Sequence, residues 1–268
     1  MVTRETTLGT STLSVTEAGA GAPVVFLHAF PLNARMWAPQ VAALPAGWRA
    51  IAPDLRGFGR SPSGAIPARH VGDHAADVLN LVDAQGGAPV VLVGLSMGGY
   101  IAFECWRRRP AAIRGLVLAD TRAEADSDEA RARRVTMQGL AQREGTAAVI
   151  DAMLPGLLGA STRTDDPHVA VQVRQWALDT GAEGVIDALE ALRTRPDSRP
   201  TLATITCPAL VLVGDEDTLT PPELSQVIAD GIAGATLVRI PRAGHLANVE
   251  QPPAFSSALA AFLEGLGS

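Results

Sequence analysis

Residues 90–109 read VVLVGLSMGGYIAFECWRRR, and the way this stretch divides decides the fold. VVLVGL is a continuous apolar run, the mark of a strand buried on both faces. Met97 to Arg109 then continue as a helix until Pro110. At the junction lies Gly94-Leu95-Ser96-Met97-Gly98, a G-x-S-x-G pattern followed by a further glycine, Gly99. A serine on such a strained strand-to-helix turn stands at the tip of a sheet. Strand and helix come so close there that the positions two before and two after it require glycine. The helix N-terminus behind Ser96 also adds positive dipole where an oxyanion would form. Ser96 is therefore the expected nucleophile.

The same alternation extends in both directions. APVVFLHA (22–29) and WRAIAPD (48–54) are apolar runs before the central strand, and IRGLVLAD (113–120), CPALVLVGD (207–215) and ATLVRIP (235–241) follow it. The opening TTLGTSTLSVTEAG alternates polar with apolar residues, as an antiparallel edge hairpin does. Val71, Ala75, Val78, Leu79 and Val82 recur at helical spacing, with Gly86-Gly87 as the stop. Thr220-Pro-Pro-Glu223 reads as a capping box that opens a helix through Ile228. Pro252-Pro253 opens a last helix with Phe255, Leu259, Phe262 and Leu266 in one stripe. The pattern predicts an α/β fold: a mostly parallel sheet with helices on both faces and a site beyond the carboxyl ends of its strands.

Residues 121–204 break this rhythm. Charged turns such as DSDEARARR (126–134) alternate with apolar patches at 149–158, 169–178 and 185–192, and no convincing strand occurs. The expectation is a helical cap over 121–204 inserted into a core of residues 1–120 and 205–268, with TRPDSRPTLATIT (194–206) as the return linker.

Bulk properties narrow the function classes. The chain has 268 residues, 47% hydrophobic and 19% charged, enough for one sizeable core. A formal net charge of −6 leaves no basic footprint, which argues against nucleic acid or an anionic membrane as partner. The first residues carry no apolar region with a cleavage site, and no apolar run approaches the roughly 18 residues of a membrane span. Cys105 and Cys207 make neither a CxxC motif nor a disulfide framework, so both are expected to be small core residues in a cytoplasmic setting.

A serine nucleophile needs a hydrogen-bonded base, and the base needs an acid to fix its tautomer. The histidines are His28, His70, His74, His168 and His245, and only the last two follow Ser96. The chain order serine, acid, histidine therefore leaves those two. His168 lies in the insertion, as a surface residue. His245, in PRAGHLANVEQP, follows the last strand on the rim that Ser96 shares, and is the expected base. His28 reads as a loop brace, and His70 and His74 form an i, i+4 pair without a third metal ligand. No metal or cofactor is expected. VLVGDEDTLTP offers Asp215, Glu216 and Asp217. Asp217 lies deepest in the loop and is the expected acid, with Asp215 a rival suited to capping the turn and Asp120 a rival from the neighbouring strand end. The oxyanion donors should be the Met97 amide and, because Pro31 has no N–H, the amide of Phe30 rather than Ala29.

Taken together, HAFPLN (28–33), DLRGFGRS (54–61), GLSMGG (94–99), GDEDTLTP (214–221) and AGHLANVEQP (243–252) resemble the α/β-hydrolase superfamily. The resemblance is closest to small esterases, 3-oxoadipate enol-lactonase-like enzymes and cofactor-free perhydrolases, and it runs from about residue 20 to the end. It implies Ser96, Asp217 and His245 as a triad, Phe30 and Met97 as oxyanion donors, and Asp54 and Arg56 as structural residues. Ala29 stands where the family usually has glycine. The expected reaction is hydrolysis of a small-molecule ester or lactone through an acyl-enzyme. Perhydrolysis, carbon–carbon cleavage and a slow-turnover ligand receptor are the alternatives. Phe30, Met153, Trp176, Leu219 and Leu246 are the candidate pocket residues.

Overall fold

The computed structural model describes residues 1–267. In chain order the elements are β1 (Val2–Leu8), β2 (Ser11–Gly19), β3 (Ala22–Leu27), α1 (Ala38–Ala42), β4 (Trp48–Pro53), α2 (Val71–Ala84), β5 (Val90–Leu95), α3 (Met97–Arg108) and β6 (Ile113–Ala119). Five helices follow: α4 (Asp128–Leu157), α5 (Ala160–Asp165), α6 (His168–Ala177), α7 (Ala182–Arg193) and α8 (Arg199–Leu202). The chain then returns through β7 (Ala209–Gly214), α9 (Pro222–Gly231), β8 (Thr236–Ile240), α10 (Ala247–Glu250) and α11 (Pro252–Leu266). Every strand and long helix read from the sequence is present, with ends shifted by a few residues. The stretch 194–206 is not a bare linker, since it carries the one-turn α8.

The eight strands form one sheet in the order β1-β2-β4-β3-β5-β6-β7-β8. The β1–β2 and β2–β4 pairs are antiparallel, and all pairs from β4 to β8 are parallel. The parallel strands β3, β5 and β7 carry no polar side chain because both faces are covered, whereas β4, β6 and β8 each admit one arginine where a face reaches solvent. Alternation along β5 shows the division. Leu92 packs on the side of α2, α3 and α9, with Val78, Ile101 and Ile228. Val91 and Val93 pack on the opposite side with Trp37, Phe255 and Leu259, the latter two from α11. On α11 the buried stripe is Phe255, Leu259 and Leu263, while Phe262 and Leu266 are only partly covered. None of the described helices is long and apolar enough to cross a membrane.

The parallel strands all end on one rim, so β5, β6, β7 and β8 deliver Ser96, Asp120, Asp217 and His245 to the same edge. Helices α4 and α7 come from the insertion between β6 and β7 and pack against one another above that edge. Helix α4 is broken at Gly145, where φ is +78°, and therefore runs as two limbs.

Candidate active site

The β5–α3 junction sets the first side chain. Ser96 has φ +53° and ψ −110°, a conformation that L-residues reach only under constraint. Two bonds hold it: the Ser96 amide donates to the Ala119 carbonyl at 2.9 Å, and the Thr121 hydroxyl donates to the Ser96 carbonyl at 2.9 Å. The glycines flanking it are compulsory. A Cβ on Gly94 would lie 2.4 Å from the Gly98 carbonyl carbon, and one on Gly98 would lie 2.1 Å from the Leu27 oxygen.

The His245 ring bridges the two partners chosen for it. Its Nε2 lies 2.8 Å from Ser96 Oγ and its Nδ1 2.8 Å from Asp217 Oδ2. The Asp217 carboxylate also accepts the Leu219 and Thr220 amides on Oδ1, at 2.8 and 3.0 Å. Burial pushes the Asp217 carboxyl up, but the neighbouring His245 and the hydrogen bonds from His245 and Thr220 outweigh it and hold the group at about 2. Asp217 is thus a carboxylate across the working pH range.

The rival acids have other partners. Asp215 Oδ1 accepts the Arg242 amide at 2.8 Å, and Glu216 accepts the Ser161 amide at 2.8 Å. Asp120 accepts the Gly214 amide at 2.8 Å and the Ala247 amide at 3.3 Å, and so ties the β7 end to the His245 loop. Burial and the adjacent Asp217 charge push its carboxyl well above the ordinary range.

Two residues that sequence reasoning missed complete the frame. Thr220 does not cap α9, which starts after Pro221 without a side-chain cap. Its hydroxyl instead donates to Asp217 Oδ2 at 2.6 Å and lies 3.1 Å from His245 Nδ1. Pro221 rather than Thr220 takes the N-cap position of α9, one residue later than the pattern places it, which leaves the hydroxyl to the carboxylate. Glu250 is buried in α10 and accepts four bonds: from the Gly244 and Leu246 amides on either side of His245, and from Gly159 N–H and the Thr162 hydroxyl of the insertion. The only sequence signal for Glu250 is its place in AGHLANVEQP, five residues after His245.

The Phe30 and Met97 amides have no protein acceptor among the described residues. Met97 is the first residue of α3, so its N–H has no partner within the helix. Ala29 lies outside the left-handed region, and the side chain that replaces glycine there causes no backbone strain. Its amide points to Met36 Sδ at 3.3 Å, which leaves Phe30 as the free donor of that loop.

A cavity of about 410 Å³ opens beside Ser96 and His245. Phe30, Met153 and Leu219 line it, as expected, but Trp176 and Leu246 do not. Trp176 packs into the core beneath, with Ala29, Leu32 and Trp37, and its carbonyl accepts from Asn33. Leu246 is fully buried in the same cluster, because the chain turns into α10 directly after His245 and drives the next side chain inward. Tyr100, Met137, Leu157, Leu189 and Leu192 take their place in the lining.

The remaining histidines and cysteines stand apart. His28 accepts the Leu55 amide at 3.0 Å on Nε2 and donates from Nδ1 to the Ala29 carbonyl, bracing the Phe30 loop. His70 is exposed at the start of α2, His168 is exposed at the start of α6, and His74 is buried one turn from His70. Burial pushes the Cys105 thiol up to about 12 and the Cys207 thiol to about 11. Asp54 accepts the Ala34 and Arg60 amides, and Arg56 pairs with buried Asp77.

Comparison with known proteins agrees with this fold. Among curated proteins, 3-oxoadipate enol-lactonase 2 of Acinetobacter baylyi is 31% identical over 244 residues, 90% of this chain and 88% of that one. A thermophilic esterase from Thermogutta terrifontis has a TM-score of 0.95 and 36% identity, with 100% of both chains covered. The enol-lactonase from Burkholderia xenovorans LB400 has a TM-score of 0.89 and 30% identity, covering 97% of this chain and 100% of that one. The description "alpha/beta hydrolase fold" matches residues 22–252. On this match and these relatives, the chain belongs to the α/β-hydrolase family and is a hydrolase.

Proposed function

We propose that the protein hydrolyses a small carboxylic ester or lactone through an acyl-enzyme on Ser96, with residues 121–204 as a cap that shapes the acyl site. One observation carries the reading: Ser96 Oγ, the His245 ring and the Asp217 carboxylate form a line with 2.8 Å at each link, beside a largely apolar cavity. His245 Nε2 takes the Ser96 proton as Oγ attacks the carbonyl carbon. The negative oxygen then faces the free amides of Phe30 and Met97. His245 returns its proton to the leaving alcohol. It next takes a proton from water as the water oxygen attacks the acyl carbon, and it returns that proton to Ser96 Oγ as the Oγ–carbon bond breaks and the acid leaves. Asp217 keeps the Nδ1 proton in place throughout and stabilises the imidazolium. The unpaired thiols of Cys105 and Cys207 suit a reducing cytoplasm.

The test is turnover of 4-nitrophenyl butyrate alongside fluorophosphonate labelling. Labelling is expected on Ser96, and Ser96→Ala should lose both label and turnover while keeping its fold. Asp217→Asn should lower kcat about 10⁴-fold, because an amide disfavours the productive tautomer. Asp120→Asn should keep most activity. Ester turnover that survives in Ser96→Ala, or an active Asp217→Asn beside a dead Asp120→Asn, overturns the assignment.

A further inference from the structure

The cavity beside Ser96 is chemically lopsided. Helix α4 lines it with both limbs of its break. The limb after Gly145 brings Ala152, Met153, Gly156 and Leu157, all uncharged, beside Leu219. The limb before the break brings Arg133, Arg134 and Met137, and Arg122 joins them from the loop after β6. Among the described residues, no aspartate or glutamate lines the cavity.

Behind this wall stands a single carboxylate. Asp126 is buried and accepts Arg122 at 3.2 Å and Arg195 at 2.5 Å on Oδ1, and Arg134 at 3.1 Å on Oδ2. Burial pushes its carboxyl up, but Arg134 and Arg195 outweigh that and hold it below the ordinary value. One fixed negative charge thus faces three guanidiniums. Arg133 adds a fourth and has no ion pair among the described residues. Glu124 and Glu129 lie on the same segment and form no close ion pair with these arginines, although the Ser127 hydroxyl and, to a lesser extent, the Arg133 charge one turn further along α4 lower the Glu129 carboxyl. The concentration of cations stands out in a chain of net charge −6. Arg122 and Arg134 share the one Asp126 carboxylate with Arg195, and the exposed Arg133 lines the same space without an ion pair. Such an excess of guanidinium suits a planar anion, held by charge-assisted and often bidentate hydrogen bonds.

We propose that the substrate carries a free carboxylate in addition to its scissile ester or lactone bond, and that Arg133, Arg122 and Arg134 receive that carboxylate. The inference rests on the hydrolase reading above and narrows it to anionic substrates. The apolar limb takes the carbon skeleton, and the arginine limb takes the charge.

Two matched pairs of esters test it. Mono(4-nitrophenyl) glutarate is compared with its methyl ester, which places the charge on the acyl side. 3-Acetoxybenzoate is compared with its methyl ester, which places the charge on the alcohol side. In one of the pairs the free carboxylate should give a kcat/KM about tenfold or more above its masked partner. Arg133→Gln should shrink that ratio to about twofold or less, and Arg133→Lys should keep an intermediate ratio, having charge without the fork. Equal rates within both pairs, or a ratio unchanged in Arg133→Gln combined with Arg122→Gln, overturns the proposal. If the wild type turns over no ester, the hydrolase reading fails, and calorimetry decides instead. Saturable binding of glutarate to Ser96→Ala, lost when Arg133→Gln is added, then supports the anion site. No binding, or binding indifferent to Arg133, overturns it.

Discussion

Thr220 donates its hydroxyl proton to Asp217 Oδ2 and shares that oxygen with His245 Nδ1. The carboxylate is thereby held by four donors, counting the Leu219 and Thr220 amides, and has no freedom to turn from the imidazole. Thr220→Val keeps the shape and removes one charge-assisted bond. Its kcat on 4-nitrophenyl butyrate should fall about tenfold with KM within about twofold, and Thr220→Ser should recover most of the loss. A Thr220→Val enzyme as fast as the wild type would show that the amides alone position Asp217. At this scale the sequence was legible where chemistry is tied to local pattern. Ser96 sits in a five-residue motif, and His245 and Asp217 follow strand ends that the apolar runs mark. Thr220 was misread because Thr-x-x-Glu is a genuine helix-start pattern, and only the fold reveals a carboxylate closer to its hydroxyl. Trp176 and Leu246 were misplaced for a related reason: which way a side chain turns near a cavity depends on the whole packing, not on its neighbours in the chain.

At the scale of elements, the decisive contact is the approach of α3 to the sheet. Gly98 lets the first turn of the helix rest against the Leu27 carbonyl of β3, the strand that leads into the Phe30 loop. The same close approach therefore sets Ser96 beside the free amides of Phe30 and Met97. Gly98→Ala forces a methyl group into backbone, which cannot yield as a flexible side chain would. It should cost at least about 3 kcal/mol of stability, read as a lower urea midpoint, or leave no folded protein. Gly265→Ala is the control, since a Cβ there meets nothing within 4 Å in α11. It should stabilise by about 0.5 kcal/mol or more through helix propensity. Similar midpoints for the two variants would remove the steric account. Elements themselves were readable because buried parallel strands announce themselves as unbroken apolar runs. The break of α4 at Gly145 was not, because a glycine inside a helical pattern usually passes without a kink, and it is this break that turns an arginine face and an apolar face into one cavity.

Over the whole molecule, the fold commits two imidazoles to the neutral state. His28 is sealed under the Phe30 loop, and its Nε2 must stay unprotonated to accept the Leu55 amide. His74 lies on the buried face of α2, faces Phe58 at a centroid distance of 6.2 Å, and has no hydrogen-bond partner on either ring nitrogen among the described residues. Burial lowers both to about 4, against an ordinary value of 6.5. The unfolded chain therefore binds more protons than the native one between those values, so stability is complete above pH 6.5 and falls as the pH drops toward 4. For His74 alone the loss between pH 7.5 and pH 5 is about 2 kcal/mol. Other buried carboxyls act elsewhere or cancel. Asp217, depressed to about 2, contributes stability that is lost only as the pH falls from 3.8 through that value. Asp120, raised by burial and by the Asp217 charge, favours folding at low pH, but it does so equally in any protein that retains it. The comparison to make is wild type against His74→Leu, in urea at both pH values. The stability gap should move by about 2 kcal/mol in favour of the leucine variant on going to pH 5. A gap that does not change with pH would mean that His74 is protonated in the native state, and the acid sensitivity would then have to be sought in His28.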